Sequence, residues 1–592
     1  MDKKTIAELF EEIAALLDLK GENPFRVRAY QNAARMIEGL QLDLNQLVTE
    51  NRLTEIKGVG KDLAAKITEL ITTEKLQFYE ELKASLPAGL LEMLRIPGFG
   101  PKRAKTLYDR LKIDTLQKLE AACQEGKIAA LKGFGEKSQQ KILEGIKLVR
   151  QFGTRHHYHK AWAVAQPILE ALRQRNEVIR CSVAGSLRRH RETIGDVDFI
   201  VSAKAEDAGA ISETFVKMPG VAAVTVQGET KSSVILKGGL QADLRVVSDR
   251  QYAFALNYFT GSKEHNIALR ARALKLKNLS LNEYGFSAAA EKEKSAKELG
   301  SAIPCKEEAD IYKVLGLAYI PPELREDMGE IAAAERNELP KLIEKENLRG
   351  TFHCHSTWSD GIETIESMAN AAMDLGLEYL GIADHSKSER QANGLDEARV
   401  RQQAAEIRKL NEKFGSRFRV FHGIECDILP EGNLDFDDET LALFDYVVAS
   451  VHGIFNMTSE AMTQRIVKAL SHPKVTMLGH ATGRLLLVRE GYSVNLPQVI
   501  EAAAKYRKII EINAHPNRLD MDWRLWKHAK ERGVKCSINP DAHNIDELQY
   551  LAIGVGIARK GWLTREDVVN CLPLKEIEKL LLKMKIGKAP QR

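Results

Sequence analysis

The side chains best suited to chemistry lie after residue 350, where His and acidic residues close seven successive strand-like runs. They are His353 and His355 with Asp360 (TFHCHSTWSDG), His385 (LGIADHS), Glu425 (FHGIECDI), His452 (VVASVHG), His480 (TMLGHAT), the EINAHP run around His515, and Asp541 with His543 (INPDAHN). In a ring of βα units each strand delivers its last side chain to one shared rim, so this recurrence predicts a barrel whose mouth gathers the donors. Imidazole with carboxylate suits Zn, Mn or Fe, and the donors outnumber what one ion can use. A multinuclear hydrolytic metal site follows. Ten of the fifteen His fall after residue 350, and most of those ten end an apolar run, which a set of surface histidines would not do.

A second set lies in DVDFIVSA, where Asp196 and Asp198 are two residues apart in an apolar strand and so project from one face. Two like charges so placed are costly without a cation between them. Asp243, in the alternating run ADLRVV, is the candidate third member. Three carboxylates on neighbouring strands can cradle two Mg²⁺ ions for in-line phosphoryl transfer. The preceding GSLRR offers Gly185 and Ser186 as donors to a triphosphate and Arg189 for charge-assisted hydrogen bonds. This is the shape of a nucleotidyltransferase palm; an edge strand with exposed acids is the bland alternative.

The elements that must position these groups change character along the chain. The first 150 residues read as helical, punctuated by IKGVGKDLAAKI (56–67), IPGFGPKRAKTL (96–107) and LKGFGEKSQQKI (131–142). Each is the helix-hairpin-helix pattern, a Gly-x-Gly turn leading into a helix with Lys or Arg nearby. The glycine pairs Gly58 and Gly60, Gly98 and Gly100, and Gly133 and Gly135 free backbone N–H groups at a helix N-terminus to hold a DNA phosphate without reading sequence. Residues 150–320 read as mixed α/β, 323–348 as a charge-rich linker, and the final domain starts at Arg349.

With 592 residues and 44% hydrophobic content the chain can build several cores, and its net charge of +4 says little about a polyanionic partner. Charge distribution says more, through the clusters LRRHR (187–191) and TRHHYHK (154–160). Seven cysteines without paired spacing indicate neither a disulfide framework nor a thiolate zinc site. No stretch approaches the roughly 20 apolar residues of a membrane span, and the N-terminus reads as an acidic amphipathic helix, not a signal peptide. The expectation is a cytoplasmic monomer with no membrane association.

The first 320 residues resemble a family X DNA polymerase of the polymerase β type. The resemblance rests on GSLRRHRETIGDVD, with Gly195 directly ahead of the aspartates, and on YFTGSKEHNIALR (258–270). It implies that Tyr258 and Phe259 line the nucleotide sugar, that Gly261 and Ser262 belong to the same nucleotide-binding segment, that Asn266 reaches the base edge, and that Arg270 approaches the template. Lys66 matches the family's Schiff-base lysine, which implies a 5′-deoxyribose-phosphate lyase. Arg26 stands where the family's 5′-phosphate pocket often has lysine, and Gln241 departs from the arginine of vertebrate members.

Residues 349 to about 575 resemble a PHP (polymerase and histidinol phosphatase) domain. This resemblance implies nine ligands to a trinuclear Mn²⁺ or Zn²⁺ centre: His353, His355, Asp360, His385, Glu425, His452, His480, Asp541 and His543. It leaves His515, His422 and Asn513 as supporting or substrate contacts or, as the favoured reading, as buried structural residues. Together the two resemblances imply the bacterial family X polymerases that carry this domain. The implied function is filling of short gaps in base excision repair, using gapped or nicked DNA, dNTPs and Mg²⁺, with a metal-dependent 3′→5′ exonuclease. AP-endonuclease or 3′-phosphodiesterase action is a further possibility.

The implied architecture is multidomain α/β. It comprises an N-terminal helical domain (1–82), a helix-hairpin-helix fingers region (83–150), a nucleotidyltransferase palm (151–245), a thumb-like subdomain (246–322), a linker (323–348) and a distorted (βα)7 PHP barrel (349–592). Two other readings stay open: a PHP domain that is a small-molecule phosphatase, and a DNA-binding polymerase-like protein in which that domain is a scaffold.

Overall fold

A computed structural model describes residues 3–39, 44–55, 59–73, 75–87, 89–94, 96, 99–131, 133–152, 155–288, 301–487 and 489–586. Among them no helix is long and apolar enough to cross a membrane.

The first part is helical. Helix Lys3–Lys20 repeats apolar residues at helical spacing, and Ile6, Phe10, Ile13 and Leu17 are all buried. They share one core with Ile37, Ile67, Leu70, Leu107, Leu119 and Ile146 from the helices that follow. Gly60, Gly100 and Gly135 stand immediately before helices Lys61–Thr73, Pro101–Leu111 and Glu136–Phe152, whereas Gly58 and Gly98 lie outside the described residues.

The second part is a five-stranded sheet. Its strands are β1 (Arg180–Val183), β2 (Asp196–Ser202), β3 (Val221–Gln227), β4 (Lys231–Leu236) and β5 (Gln241–Val247), in the order β1-β2-β5-β4-β3. Only β2 and β5 pair in parallel, with Val197 opposite Ala242, Phe199 opposite Leu244 and Val201 opposite Val246. These six side chains form one buried face, packed with residues of helices Tyr158–Arg173 and Ala208–Val216. On the opposite face Ile200 packs with Tyr252, Ala255 and Leu256 of helix Tyr252–Thr260. The period of two then leaves Asp196, Asp198 and Asp243 at the less buried end of that face.

Residues 323–348, whose composition reads as a linker, are packed. Leu324, Ala333, Ala334 and Leu342 share a core with Phe254, Tyr312 and Trp562. Their charges are tolerated because they meet partners: buried Arg325 lies 2.5 Å from Glu308, and buried Glu330 2.6 Å from His265.

The last part is a barrel of seven parallel strands in sequential order: β6 (Gly350–Cys354), β7 (Tyr379–Ile382), β8 (Arg419–Asp427), β9 (Tyr446–Ser450), β10 (Met477–Leu478), β11 (Ile509–Asn513) and β12 (Cys536–Asn539). A bridge between Cys354 and Ala542 links the last strand back to the first, with His355 N donating to the Ala542 carbonyl at 2.8 Å. Phe352, Tyr379, Phe421 and Tyr446 fill one layer of the interior. Glycines make room for it, since a Cβ at Gly381 would stand 2.5 Å from Phe352 Cδ1 and 2.6 Å from Tyr446 Oη. We expect Gly381→Ala to destabilise the barrel by about 1–3 kcal/mol through overpacking, read as a lower midpoint in chemical denaturation.

Candidate metal centre and acidic cradle

All nine anticipated donors meet at the mouth of the barrel. Glu425, on β8, is their hub. Its Oε1 lies 2.9 Å from His480 Nε2, 3.1 Å from His452 Nε2 and 3.2 Å from His353 Nε2. Its Oε2 lies 3.0 Å from His385 Nδ1 and 3.7 Å from His355 Nε2. Asp541 Oδ1 is 3.2 Å from His355 Nε2, while Asp360 Oδ2 is 3.4 Å from His543 Nε2 and 3.6 Å from His385 Nε2.

Four overlapping sets among the described residues have ligand atoms within 4.8 Å of one another: His355, Asp360, His385 and His543; His353, His355 and Glu425; His385, Glu425 and His452; and Glu389, Asp427 and His452. Buried His355 Nδ1 and His480 Nδ1 have no hydrogen-bond partner, and His353 Nε2 and His385 Nδ1 face Glu425 at 3.2 and 3.0 Å without hydrogen-bond geometry. Such atoms are expensive to bury, and divalent cations would satisfy several of them at once. The donor set fits such ions.

Second contacts hold these donors. Glu511 is fully buried, keeps His353 Nδ1 at 2.6 Å, and accepts hydrogen bonds from the His480 backbone N and from Asn539 Nδ2, both at 2.8 Å. His353 thereby presents its other nitrogen to Glu425. Asp427 plays the same part for His452 Nδ1 at 3.1 Å, and Asn513 Nδ2 donates to Asp541 at 2.9 Å. Asp384 accepts hydrogen bonds from the backbone N and the hydroxyl of Ser356, fixing the turn after His355. His422 instead faces Gln403 at 3.1 Å, and His515 packs edge-on to Tyr550 with ring centroids 5.3 Å apart. Neither belongs to these four sets.

The other acidic group lies across β2 and β5. Asp198 is directly opposite Asp243, and Asp196 is opposite Gln241, whose Nε2 donates to both Asp243 oxygens at 3.2 and 3.1 Å. Burial, with Asp196 and Asp243 as neighbours, pushes the Asp198 carboxyl up to about 7, and burial raises Asp196 as well. A divalent cation would relieve that crowding, so this set also fits one. Gly185 starts the short helix Gly185–Arg188 at φ +61°, and a Cβ there would stand 2.4 Å from Asp198 Oδ2. Ser186 follows in that first turn, and Gly195 directly precedes β2.

Arg189 sits differently from the expectation of an arginine facing a triphosphate. Its Nε lies 3.0 Å from Glu326 and its Nη1 donates to the Thr260 carbonyl at 2.7 Å. It reaches Asp196 and Asp198 only through its charge, which lowers both. Glu326 is far away in sequence, so no local pattern could reveal this. Arg155 also lowers Asp196 and donates to Thr193 Oγ1 at 2.8 Å; the sequence marked it only as part of a basic cluster.

Helices Tyr252–Thr260 and Lys263–Lys277 carry the second polymerase-like motif. Tyr258 and Phe259 meet edge-on at 5.1 Å, and the Arg245 guanidinium lies 4.1 Å from the Phe259 ring centre. Asn266 Nδ2 donates to the Tyr258 carbonyl at 2.7 Å, an approach open only because residue 261 is Gly: a Cβ there would be 2.6 Å from Asn266 Oδ1. Ser262 caps the second helix by accepting from His265 N at 3.0 Å, and Arg270 is exposed one turn beyond Asn266.

In the N-terminal part Lys66 is bound to the Asp62 carboxylate and lies 5.0 Å from the centre of the Phe78 ring, which Arg26 also overlies at 5.4 Å. A Cβ at Gly60, Gly100, Gly133 or Gly135 would meet nothing within 4 Å, so the backbone there is open to a ligand.

Sequence comparison follows the same division. Family models match as a helix-hairpin-helix domain over residues 1–76, a SAM-like helix-hairpin-helix tandem over 90–148, a DNA polymerase beta thumb over 255–326 and a PHP domain over 351–515. The DNA polymerase/3′-5′ exonuclease PolX of Bacillus subtilis (strain 168) is 38% identical across 98% of this chain and 99% of its own. The chain belongs to the bacterial family X DNA polymerases with a C-terminal PHP domain.

DNA polymerase lambda of Rattus norvegicus is 26% identical over 54% of this family X chain and 56% of its own. A probable phosphatase of Thermoanaerobacter sp. (strain X514) is 27% identical over 37% of this chain and 88% of its own. The seven-stranded parallel barrel and the helical first part are the architecture expected of such a polymerase.

Sequence reasoning missed Glu511, Asp384 and Asp427, which touch donors or hold their loops, and Arg518. Arg518 Nε lies 3.4 Å from Asp541 Oδ2, and it is the one arginine or lysine among the residues lining a cleft of about 330 Å³ over the donors. The signal for Glu511 was an acid inside the apolar run of β11.

Protonation of this family X barrel mouth opposes metal uptake. Burial lowers His452 and His543, but Glu425 and Asp427 outweigh it at His452, raised to about 10, and Asp360 and Asp541 at His543, raised to about 9. Both rings are therefore protonated near neutral pH and must lose that proton to ligate. Burial is likewise outweighed at His353 by Glu511 and Glu425, so we expect Mn²⁺ uptake at pH 7 to release about two to three protons, seen by calorimetry in buffers of different ionisation enthalpy, and apparent affinity to rise with pH up to about 10.

Proposed function

We propose that this protein fills short gaps in DNA at the acidic cradle and trims 3′ ends at the barrel mouth. The observation that carries the reading is the presence, on one chain, of two separate acidic groups that each fit divalent cations, one on β2 and β5 and one around Glu425. The names of the Bacillus and rat relatives support it.

In the cradle, Asp196, Asp198 and Asp243 would hold Mg²⁺, which supplies charge neutralisation for phosphoryl transfer. Gly185 and Ser186 would offer backbone and hydroxyl donors to the triphosphate, Tyr258 and Phe259 a wall for the sugar, Asn266 a contact to the base and Arg270 one to the template. The open glycine turns at Gly60, Gly100, Gly133 and Gly135 would grip the DNA backbone on either side of a gap.

At the barrel mouth the nine donors would hold Mn²⁺ or Zn²⁺, ions that polarise a phosphodiester. Arg518 is placed to bind the phosphate oxygens of the terminal nucleotide, and Glu425, with its five imidazole neighbours, fixes the spacing of the whole set. Divisions at residues 82, 150, 245 and 348 are our proposal for the domain boundaries, with 323–348 kept in the core it shares with Phe254 and Tyr312.

Asp196→Ala is expected to lower nucleotide addition about a thousandfold or more and to leave 3′-end hydrolysis within about twofold, with His355→Ala doing the reverse. The assay is a labelled one-nucleotide gap incubated with and without dNTPs in Mg²⁺, Mn²⁺ or Zn²⁺. Equal loss of both activities in either variant would contradict separate centres. The phosphatase relatives motivate one further arm: p-nitrophenyl phosphate hydrolysed faster than the labelled 3′ end would make the barrel a small-molecule phosphatase.

We also propose that Lys66 forms a Schiff base with a 5′-deoxyribose phosphate. Its place beside Phe78 and Arg26 supports this, and the bond to Asp62 must open for attack. Borohydride should trap wild-type protein on an incised abasic site but not Lys66→Arg; equal trapping would remove Lys66 from the role.

A further inference from the structure

The loop between the short helix Gly185–Arg188 and β2 is anchored by the barrel. Glu192, only 7% exposed and four residues before Asp196, lies 3.5 Å from Arg524 Nη1 and 4.0 Å from Arg484 Nη2, both on the PHP part, and 3.9 Å from its own neighbour Arg191. Burial works against its charge, but Arg524 and Arg191 hold the carboxyl below its usual range. On the same loop the Arg189 carbonyl accepts a hydrogen bond from buried Lys560 at 3.1 Å. His190 packs so closely on the barrel helix Leu551–Lys560 that a Cβ at Gly556 would come within 2.1 Å of its Nδ1.

Followed in the other direction, the same contacts lead into the hydrolytic cleft. Arg484 stands four residues after His480. Its Nε donates to the Arg518 carbonyl at 2.8 Å, another of its nitrogens donates to the Leu519 carbonyl, and Nη1 lies 3.4 Å from Asp522. Asp522 in turn binds Arg524 through both oxygens, at 3.0 and 2.9 Å. Buried Glu192, partly buried Asp522 and the arginines between them thus tie the backbone that presents Asp196 to the backbone that carries Arg518. Buried ion pairs contribute little net stability compared with apolar packing of the same shape, whereas they select one register and penalise every other.

We infer that Glu192 is a positioning residue for both centres: through Arg524 and Arg484 it sets the Asp196 loop against the barrel and the Arg518 segment against the palm. This rests on the two-centre reading above. It predicts reciprocal effects, in which a substitution on the barrel alters nucleotide binding and a substitution on the palm alters 3′-end hydrolysis, although neither residue touches the affected substrate.

The test uses the full chain and four variants: Arg524→Gln, Glu192→Gln, the double variant, and Arg559→Gln. The last breaks the 2.6 Å Arg559–Glu323 contact between the PHP part and the thumb side, without touching either loop through its hydrogen bonds. Calorimetry of Mg²⁺–dNTP binding to enzyme on a dideoxy-terminated gap should show about fivefold weaker binding for Arg524→Gln, and 3′-end hydrolysis by Glu192→Gln should fall about fivefold. The double variant should be no worse than the worse single one.

Arg559→Gln should lower the unfolding midpoint at least as much while leaving both readouts within about twofold, and Arg524→Lys, which keeps the charge, should recover much of the dNTP affinity. Cross effects that are absent, or that appear equally in Arg559→Gln, would overturn the inference. Wild-type protein that neither binds dNTP nor trims a 3′ end would overturn the functional reading beneath it.

Discussion

Like charges gathered where water is scarce must be neutralised, and both candidate centres are consequences of that constraint. At Glu425 one buried carboxylate faces five imidazoles, and the cluster can ease its strain only through protons or cations. Its protons are the lesser solution, because they leave His355 Nδ1 and His480 Nδ1 without a partner and His353 Nε2 and His385 Nδ1 poorly aligned with Glu425. Asp198 faces the complementary problem: no imidazole stands by, so its carboxyl drifts upward beside Asp196 and Asp243.

The two scaffolds concentrate charge by different geometry. In the palm a period of two places three acids on one face of two parallel strands, and Gly185 keeps the adjoining helix close without touching Asp198. In the barrel no strand supplies more than a few donors; convergence comes from closing the sheet, which brings the ends of β6 and β12 together across Cys354 and Ala542. Opening that seam would separate His353 and His355 from Asp541 and His543, so closure of the barrel is itself a requirement of the metal centre.

Between the scaffolds charge is used as mortar. Glu326 joins Arg189 of the palm to Lys560 of the barrel and Glu192 meets Arg484 and Arg524, while within the polymerase part Glu308 joins Arg188 to Arg325. A charge-rich stretch such as 323–348 therefore reads as a linker by composition and folds as an interface, because its Glu323 and Glu326 find Arg559 and Lys560 of the barrel. Arg189 of the GSLRR motif answers to the same interface.

The sequence by itself determined whatever depends on residue type and short spacing. The alternation around Asp196 and Asp198, the glycine turns, the helical repeat of Ile6, Phe10, Ile13 and Leu17, and donors closing one strand after another were all legible, because strand and helix periods are local properties. Tertiary structure alone decided which groups meet. It set Glu511 behind His353, aimed Arg518 at Asp541, turned Arg189 toward Glu326, left His422 and His515 outside the donor sets, and brought Glu192 to Arg524. Each of these pairs joins residues more than 20 positions apart, or selects among neighbours of equal chemical promise. Such choices are made by packing and by the need to compensate every buried charge, and no local pattern records them.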